Sequence, residues 1–524
     1  MGAEKLNLLW HYLAKHAAED PHRPFMVSDK GEVSYGEAMA KTEALAKGFL
    51  EVGVKRGDRI AMVTPAREEF MYAYMAAGMV GAMWLGINVR YMPDEVRYIL
   101  SNSTPGVLIT VDVFQKRDYR PMFEEFLNEF DCIKKCLVIG ETRSPKMENF
   151  DRFMNHPRPH LDAQLKAREE TVEEDDGALI VYTSGTTGRP KGAVLTHKNI
   201  IRNILVQDKR FFIQKSDRWL LHFPVNHVAG ATEVAIGALL PGATLVLMDH
   251  FDPRDVMETI ARHKVTVLHQ IPTMYILELN LPDYSSYDIS SIREYLWAGS
   301  TAPREMVEKL GAQGKTLITG YGLTEVVGFV TYTNPDDDLE TQISTVGAID
   351  PEFQLRLVDK NHQEVPLGEV GEVAIKGTTV MKEYFNNPEA TREAVDEEGW
   401  LYTGDLAHMD KRGYITLRGR SKEMYISGGF NVYPREVENV IEKHPAVMMV
   451  CVLAKKDPVY QEVGRAFVVV KQGMSLTEPE LRDYCREKLA NYKVPKEFVF
   501  RSELPMLGVG KIDKKKLAGE MQDV

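Results

Sequence analysis

Between residues 41 and 272 the chain switches repeatedly between two hydrophobic periods, and this alternation restricts its possible folds more than any other feature. KTEALAKGFLEVG places apolar residues at helical spacing, and RIAMVT after it is an apolar run of strand length. DEVRYILSNS reads as a helix and GVLITVD as a buried strand. Further on, GATLVLM reads as a strand, DPRDVMETIARH as a helix with an acidic first turn, and VTVLHQIP as a strand. Strands joined through helices lie parallel, and the helices cover both faces of the sheet. The chain before about residue 340 therefore reads as one large α/β unit, built of two related sheets.

The pattern then changes twice. From Thr345, FQLRLVD, EVAIKG and YITLRGR are short strands between turn residues, predicting a small β-rich subdomain over about 345–420. After Arg420, GGFNVYPREVENVIEKH, VMMVCVLAKKD, AFVVVKQG and LTEPELRDYCREKLA read in turn as helix, strand, strand and helix. That is a compact α+β module with a Lys-rich tail, VPKEFVFRSELPMLGVGKIDKKKL. The expected division is 1–420 and 421–524.

One run, MYAYMAAGMVGAMWLGINV at 71–89, is uncharged and long enough to cross a bilayer. Gly78, Gly81 and Gly86 interrupt it, and charged segments flank it. It reads as a buried helix, a glycine turn and a buried strand, so no integral membrane span is expected. The first 24 residues have no long apolar stretch and no small-residue cleavage site. They read as an amphipathic surface helix ending before Pro21 rather than a secretory signal. Four cysteines in 524 residues are too few for a disulfide framework. Cys132 and Cys136 read as incidental or buried thiols, and the usage fits a reducing cytoplasm. A net charge of -12 argues against nucleic-acid binding, which needs a basic face. A nucleotide ligand stays open, because local lysines and helix N-termini hold phosphate even on an acidic protein.

The chemistry centres on VYTSGTTGRPKGAVLTH at 181–197. Gly185, Gly188 and Gly192 let backbone amides approach a polyphosphate, Thr183, Ser184, Thr186 and Thr187 add hydroxyl donors, and Lys191 adds a point charge. The Walker pattern needs glycine before its lysine and Ser or Thr after it; here Pro190 precedes Lys191 and Gly192 follows. As residue types alone, the stretch is either a phosphate cradle or a surface turn. ALIVYT before it and HKNIIRNILVQD after it supply the strand and helix that favour a cradle.

At this loop the sequence resembles the adenylate-forming superfamily of acyl-CoA synthetases, firefly-type luciferases and peptide-synthetase adenylation domains. The likeness runs from VSYGEA and GVKRGDRIAM to GVGKI, nearly the whole chain. It implies that the loop holds the β- and γ-phosphates of ATP, those that leave as pyrophosphate. ITGYGLTE at 318–325 is similar to the family's YGxTE element. The resemblance implies that Gly320, Tyr321, Gly322 and Leu323 line the nucleotide site with Tyr321 against adenine, that Thr324 meets the α-phosphate, and that Glu325 coordinates Mg²⁺, a hard ion suited to carboxylate oxygen. WAGSTAP at 297–303 resembles the turn that receives adenine through Gly299, Ser300 and Thr301, where the family often carries Gly-Ala. YTGDL supplies Asp405 for the ribose hydroxyls, and LRGRSKE supplies Arg420 for the nucleotide and Lys422 at the hinge position. PMLGVGKI supplies Lys511, which in the family binds the attacking carboxylate and the α-phosphate; Met506 and Leu507 replace the Arg-Thr-like residues usual after the proline.

For the second step, SGGFNVYP resembles the segment that reaches the site after the C-terminal domain turns, with Ser427, Gly428, Gly429 and Asn431 serving the thioester conformation. His227 in FPVNHVAG matches the family's gate residue, and Asn226 stands where a bulky residue is common. His227, Ala229, Trp297 and Gly322 are the expected acyl-pocket walls. None of these is a fixed cation, so an apolar monocarboxylate is favoured: medium-chain, branched, alicyclic or aromatic. The resemblance thus implies an ATP-dependent acid–CoA ligase using ATP, Mg²⁺ and coenzyme A, with Lys511, Lys191, Thr324, Glu325 and His227 catalytic. The alternative is an adenylating enzyme that delivers to a carrier protein; no carrier domain follows Lys511, which favours a free thiol. A homodimer is compatible with this reading.

Overall fold

A computed structural model describes residues 6–142, 144–183, 189–300, 302–507 and 512–521. Two large sheets dominate. The eight-stranded sheet has parallel strands Arg59–Val63, Met83–Ile87, Val107–Val111, Lys135–Ile139 and Gly177–Thr183, then turns antiparallel through Lys191–Thr196 and Glu383–Tyr384. The nine-stranded sheet has parallel strands Pro24–Ser28, Thr244–Leu247, Arg218–Leu221, Val267–Gln270, Glu294–Trp297 and Thr316–Leu323, with Gly328–Tyr332 antiparallel to the last. The two related sheets read from the alternation are these.

One core cluster contains Ile60, Leu85 and Leu179 from the first sheet together with Leu245, Leu296 and Ile318 from the second. A second cluster joins Leu268, Tyr295 and Trp297 to Met257, Tyr275 and Met306 of the helices Pro253–His263, Pro272–Leu279 and Arg304–Gly311. Side chains two apart in a strand share a face, so Leu296 points into the first cluster while Tyr295 and Trp297 point into the second.

The uncharged run at 71–89 folds as the glycine punctuation predicts. Helix Glu68–Met79 is buried along most of its length, Gly81 takes φ 70° in the turn, and Met83–Ile87 enters the eight-stranded sheet. Both faces of this βα unit are covered by protein, which explains an apolar content that imitates a membrane helix. Among the described residues no helix is long and apolar enough to cross a membrane. Helix ends follow local chemistry: Ser34 and Glu37 cap each other reciprocally at the start of Tyr35–Val52, and Asp252 accepts from two amides at the start of Pro253–His263.

The later strands form two smaller sheets. Gln354–Val358, Val370–Lys376, Leu401–Met409 and Ile415–Arg420 make a four-stranded antiparallel sheet. Tyr425–Ser427, Phe430–Val432, Val447–Asp457, Gln461–Val470 and Glu497–Arg501 make a five-stranded one. Two details differ from the sequence expectation. GGFNV is not the start of a helix: Gly428 at φ 58° and Gly429 at φ 88° close a two-residue hairpin, and the helix begins only at Pro434. The Lys-rich tail is not uniform either, since Glu497–Arg501 pairs in parallel with Gln461–Val470.

Candidate active site

The motif loop spans a hairpin. Gly177–Thr183 and Lys191–Thr196 pair antiparallel, with Thr183 opposite Lys191 and Tyr182 opposite Gly192. Gly192 is required by packing, because a Cβ there would lie 2.9 Å from Ile180 Cγ2 and 3.1 Å from the Tyr182 ring. Of the expected site residues, Ser184, Gly185, Thr186, Thr187 and Gly188 lie outside the described residues, as do Thr301 and Lys511. The flanks are held from outside the motif: Tyr98 donates to the Pro190 carbonyl at 2.9 Å.

The hairpin brings Lys191 to Glu325 through a residue that the motifs do not contain. Glu383–Tyr384 adds a strand beside Lys191–Thr196, and the Phe385 amide donates to the Gly192 carbonyl at 2.7 Å. Lys191 Nζ then sits 5.2 Å from the centre of the Tyr384 ring, and Tyr384 Oη donates to Glu325 Oε1 at 2.7 Å. Burial, and then the adjacent Glu325 charge, raise the Tyr384 phenol above its ordinary value, so it remains a proton donor. No sequence signal marked Tyr384; a two-residue strand in KEYFNNPEA is too short to show a period.

Glu325 follows the strand Thr316–Leu323 on the short 3₁₀ turn Thr324–Val326, and its carbonyl accepts from the Met381 amide at 2.7 Å. The glycines of this motif serve a close hairpin: a Cβ on Gly320 would be 2.1 Å from the Thr331 carbonyl oxygen, and one on Gly322 1.7 Å from that of Gly328. Thr324 is buried. Tyr321 is buried too, and its hydroxyl donates to Asp405 Oδ2 at 2.6 Å. Arg420 Nε stands 3.0 Å from Asp405 Oδ1, because the strands carrying the two residues pair with Asp405 opposite Arg420. The Asp405 charge is the main cause raising the Arg420 guanidinium, with Tyr321, Glu423 and Glu325 contributing. Tyr321, Asp405 and Arg420 thus form one polar set and Glu325, Tyr384 and Lys191 another, drawn from five sequence regions, and the Glu325 charge reaches the Arg420 guanidinium. Each Asp405 oxygen retains acceptor capacity for a further hydroxyl. Glu325 Oε2 fits a hard cation such as Mg²⁺, since the Tyr384 bond is made by Oε1.

The remaining expected site residues are distributed differently. Gly299 takes φ 86° and is exposed with Ser300 just after Glu294–Trp297. His227 precedes a π-helical turn, Ala229–Val234, and its Nδ1 accepts from the Ala229 amide at 3.2 Å. Ala229 packs against the core between the two large sheets, whereas Trp297, 1% exposed, packs in the outer cluster with Tyr275 and Tyr295. The strand's alternation turns Trp297 away from the side that Ala229 borders. Ser427 is buried, and Gly428 and Gly429 form the hairpin turn; the side chain of Asn431 lies outside what is described. Lys422 is exposed just after the last strand of the four-stranded sheet.

Sequence reading also missed a buried polar group. His222, His269 and Glu233 are 4%, 2% and 7% exposed, and His269 Nε2 lies 3.8 Å from Glu233 Oε2. Burial holds both imidazoles neutral, lowering His222 to about 4 and His269 to about 3.

The AMP-binding enzyme family matches residues 13–385, and the AMP-binding enzyme C-terminal domain matches 436–511. A feruloyl-CoA synthase of Amycolatopsis sp is 33% identical over 503 residues, 95% of this chain and 96% of that one. The mitochondrial medium-chain acyl-CoA ligase ACSF2 of Danio rerio is 32% identical over 517 residues, 95% of this chain and 85% of that one. Among solved structures, the anthranilate CoA ligase AuaEII in complex with anthranoyl-AMP has a TM-score of 0.89 at 27% identity, covering 98% of this chain and 97% of that one. With a fold, family models and relatives that agree over nearly the whole length, the chain belongs to the AMP-binding enzyme family and is an AMP-forming acyl-CoA ligase.

Proposed function

We propose that this ligase activates a monocarboxylic acid of largely apolar body, medium-chain, branched, alicyclic or aromatic, and transfers it to coenzyme A. The observation that carries the reading is the Lys191–Tyr384–Glu325 and Tyr321–Asp405–Arg420 cluster. It is rich in donors and cations and holds no base–nucleophile pair, and adenylation needs that composition. A carboxylate is already ionised at neutral pH, so its attack on the α-phosphorus requires no strong base. The difficulty is bringing two anions together.

In the proposed first step a carboxylate oxygen bonds to the α-phosphorus, the bond to the β-phosphate oxygen breaks, and pyrophosphate leaves. Lys191 stands beside the β- and γ-phosphates, and Lys511 bridges the attacking carboxylate and the α-phosphate. Asp405 accepts from the ribose hydroxyls, Tyr321 lies against adenine, and Thr324 donates toward the α-phosphate. Preorganised charges of this kind stabilise the transferring group more than water does. Glu325 would hold Mg²⁺, which when bound offsets phosphate charge. In the second step the thiol sulfur bonds to the acyl carbon, AMP leaves, and the thiol proton passes to solvent. The segment with Ser427, Gly428, Gly429 and Asn431 meets the site in this step, after residues 421–524 turn about Lys422 relative to 1–420. His227 acts as the gate between the two steps.

Ala229 and Gly322 border the acyl site in this reading, and Trp297 supports it from behind. The relatives' names span medium-chain, feruloyl and anthranilate acids, a range that matches the proposed class. A cytoplasmic setting fits the free thiols of the buried Cys136, Cys451 and Cys485. The test is pyrophosphate release with ATP and Mg²⁺ across acetate, hexanoate, decanoate, benzoate, cyclohexanecarboxylate and phenylacetate, each with and without CoA. Continuous turnover that requires one of the last five acids and CoA, with acyl-CoA formed, supports the reading. Acid-dependent release that stops after one turnover despite CoA would point to a carrier protein as acceptor.

A further inference from the structure

Beside Lys422 the two parts of the chain meet through backbone. The Ser421 amide donates to the Gly404 carbonyl at 2.8 Å, and the Glu423 amide donates to the Arg420 carbonyl at 3.0 Å. Away from this hinge, one salt bridge among the described residues joins 1–420 to 421–524: Lys471 Nζ lies 2.6 Å from Glu305 Oε2. Glu305 stands in the first turn of Arg304–Gly311, the helix that follows the Gly299–Ser300 turn expected to receive adenine. Its other oxygen, Oε1, is held by Lys309 at 3.1 Å. Lys471 directly follows the strand Gln461–Val470, and its amide donates to the Ala446 carbonyl at 2.9 Å. Both partners are therefore anchored, each on a different part of the chain.

The strand that ends before Lys471 works as a lever. It has 10 residues and is paired along its length with Val447–Asp457, so it is stiff and about 30 Å long. Gln461, at its far end, pairs with Ser427 beside the Gly428–Gly429 turn. That turn faces open space. Nothing lies within 4 Å of a Cβ on Gly429, Ile426 and Phe430 are exposed, and the Phe430 ring stacks at 4.6 Å on Tyr492 of its own module. The hairpin assigned to the second step thus stands outside the site while Lys471 is seated on Glu305. One stiff strand of this length cannot bring both ends to the adenine turn together. Turning the hairpin inward carries Lys471 away from Glu305.

We propose, on the two-step reading of the preceding section, that Lys471 and Glu305 form a latch that holds residues 421–524 in the orientation of adenylate formation and opens for thioester formation. The two side chains are 37% and 56% exposed, so water and salt weaken the pair. An exposed pair of this kind shifts an equilibrium by about two- to fivefold. That strength suits a contact that opens in every turnover, whereas breaking a buried pair is strongly unfavourable. Each half-reaction runs from its own orientation, so the ratio of their single-turnover rates reports the balance between the two.

The experiment measures both rates in the full chain with the acid that turns over fastest: adenylate formation from ATP, Mg²⁺ and acid without CoA, and thioester formation from supplied acyl-adenylate and CoA. Lys471→Glu sets two carboxylates against each other and should raise the ratio of the second rate to the first by about fivefold. Lys471→Ala removes the pair without adding repulsion and should move the ratio the same way by about twofold, which keeps the test open if Lys471→Glu does not fold. The exchange Glu305→Lys with Lys471→Glu should restore the native ratio. At 1 M salt, where the Debye length is about 3 Å, native enzyme and Lys471→Glu should give the same ratio. A purely structural role would lower both rates together and would not be rescued by the exchange. An unchanged ratio in both single variants, an equal fall in both rates, or an exchange that fails to recover the native ratio overturns the latch and leaves the ligase reading standing. Absence of both half-reactions in the native enzyme overturns the two-step reading as well.

Discussion

Tyr384→Phe isolates one hydroxyl in the polar cluster. The ring remains, and with it the 5.2 Å approach of Lys191 Nζ; the 2.7 Å bond to Glu325 Oε1 is lost. A hydrogen bond to a charged acceptor contributes about 1.5–3 kcal/mol. Glu325 is only half-buried, so water recovers part of this and the lower end applies, about 1.5 kcal/mol. That corresponds to roughly a tenfold effect. If Glu325 holds Mg²⁺ through its other oxygen, the loss appears as a freely rotating carboxylate. The apparent Mg²⁺ requirement for pyrophosphate release should rise about tenfold, while ATP binding measured without Mg²⁺ stays unchanged. The assay is a Mg²⁺ titration of pyrophosphate release at saturating acid, with a thermal melt to establish folding. A folded Tyr384→Phe protein with the native Mg²⁺ dependence would refute the assignment of Tyr384 as the residue positioning Glu325. Tyr384→Leu, which also removes the aromatic face from Lys191, should lose about a further 0.5–1 kcal/mol of that interaction.

Lys511→Ala should abolish adenylate formation yet largely spare thioester formation from supplied acyl-adenylate, followed by single-turnover kinetics of each half-reaction; equal loss in both would remove its assigned role. Asp405→Ala takes away the carboxylate shared by Tyr321 and Arg420, and ATP affinity by calorimetry should fall about tenfold or more; an unchanged affinity would remove the ribose assignment. Asp208 tests burial itself. Both its carboxylate oxygens are buried without a hydrogen-bond partner, and burial raises its pKa well above the ordinary carboxylate value. The folded chain keeps a proton that the unfolded chain releases above about pH 4, so this group's contribution to stability falls as pH rises from there toward the folded value. Asp208→Asn should therefore raise the melting temperature more at pH 8 than at pH 4, and an equal gain at both would contradict this sign.

Much of the fold is legible in the chain because parallel α/β structure writes itself locally. Each apolar strand, helix stripe and glycine turn between residues 41 and 272 reflects burial on a predictable face, and even the membrane-like run at 71–89 resolves through Gly81. The motifs likewise mark where the polar cluster forms, since Lys191, Tyr321, Glu325, Asp405 and Arg420 come together. GGFNV misleads as a helix start because a two-residue turn with two left-handed glycines has no period.

What only the tertiary structure decided concerns relations between distant residues. Tyr384 joins Lys191 to Glu325 because a two-residue strand docks on the motif hairpin, a pairing that carries no local pattern. Trp297 leaves the inter-sheet side because strand register, not composition, assigns alternate side chains to opposite faces. His222, Glu233 and His269 look in sequence like isolated polar residues in apolar elements; only packing shows that all three are buried and that His269 Nε2 comes within 3.8 Å of Glu233 Oε2. Local chemistry determined the elements and the reaction they serve. The faces those elements present to one another depend on long-range pairing that no short stretch of the chain encodes.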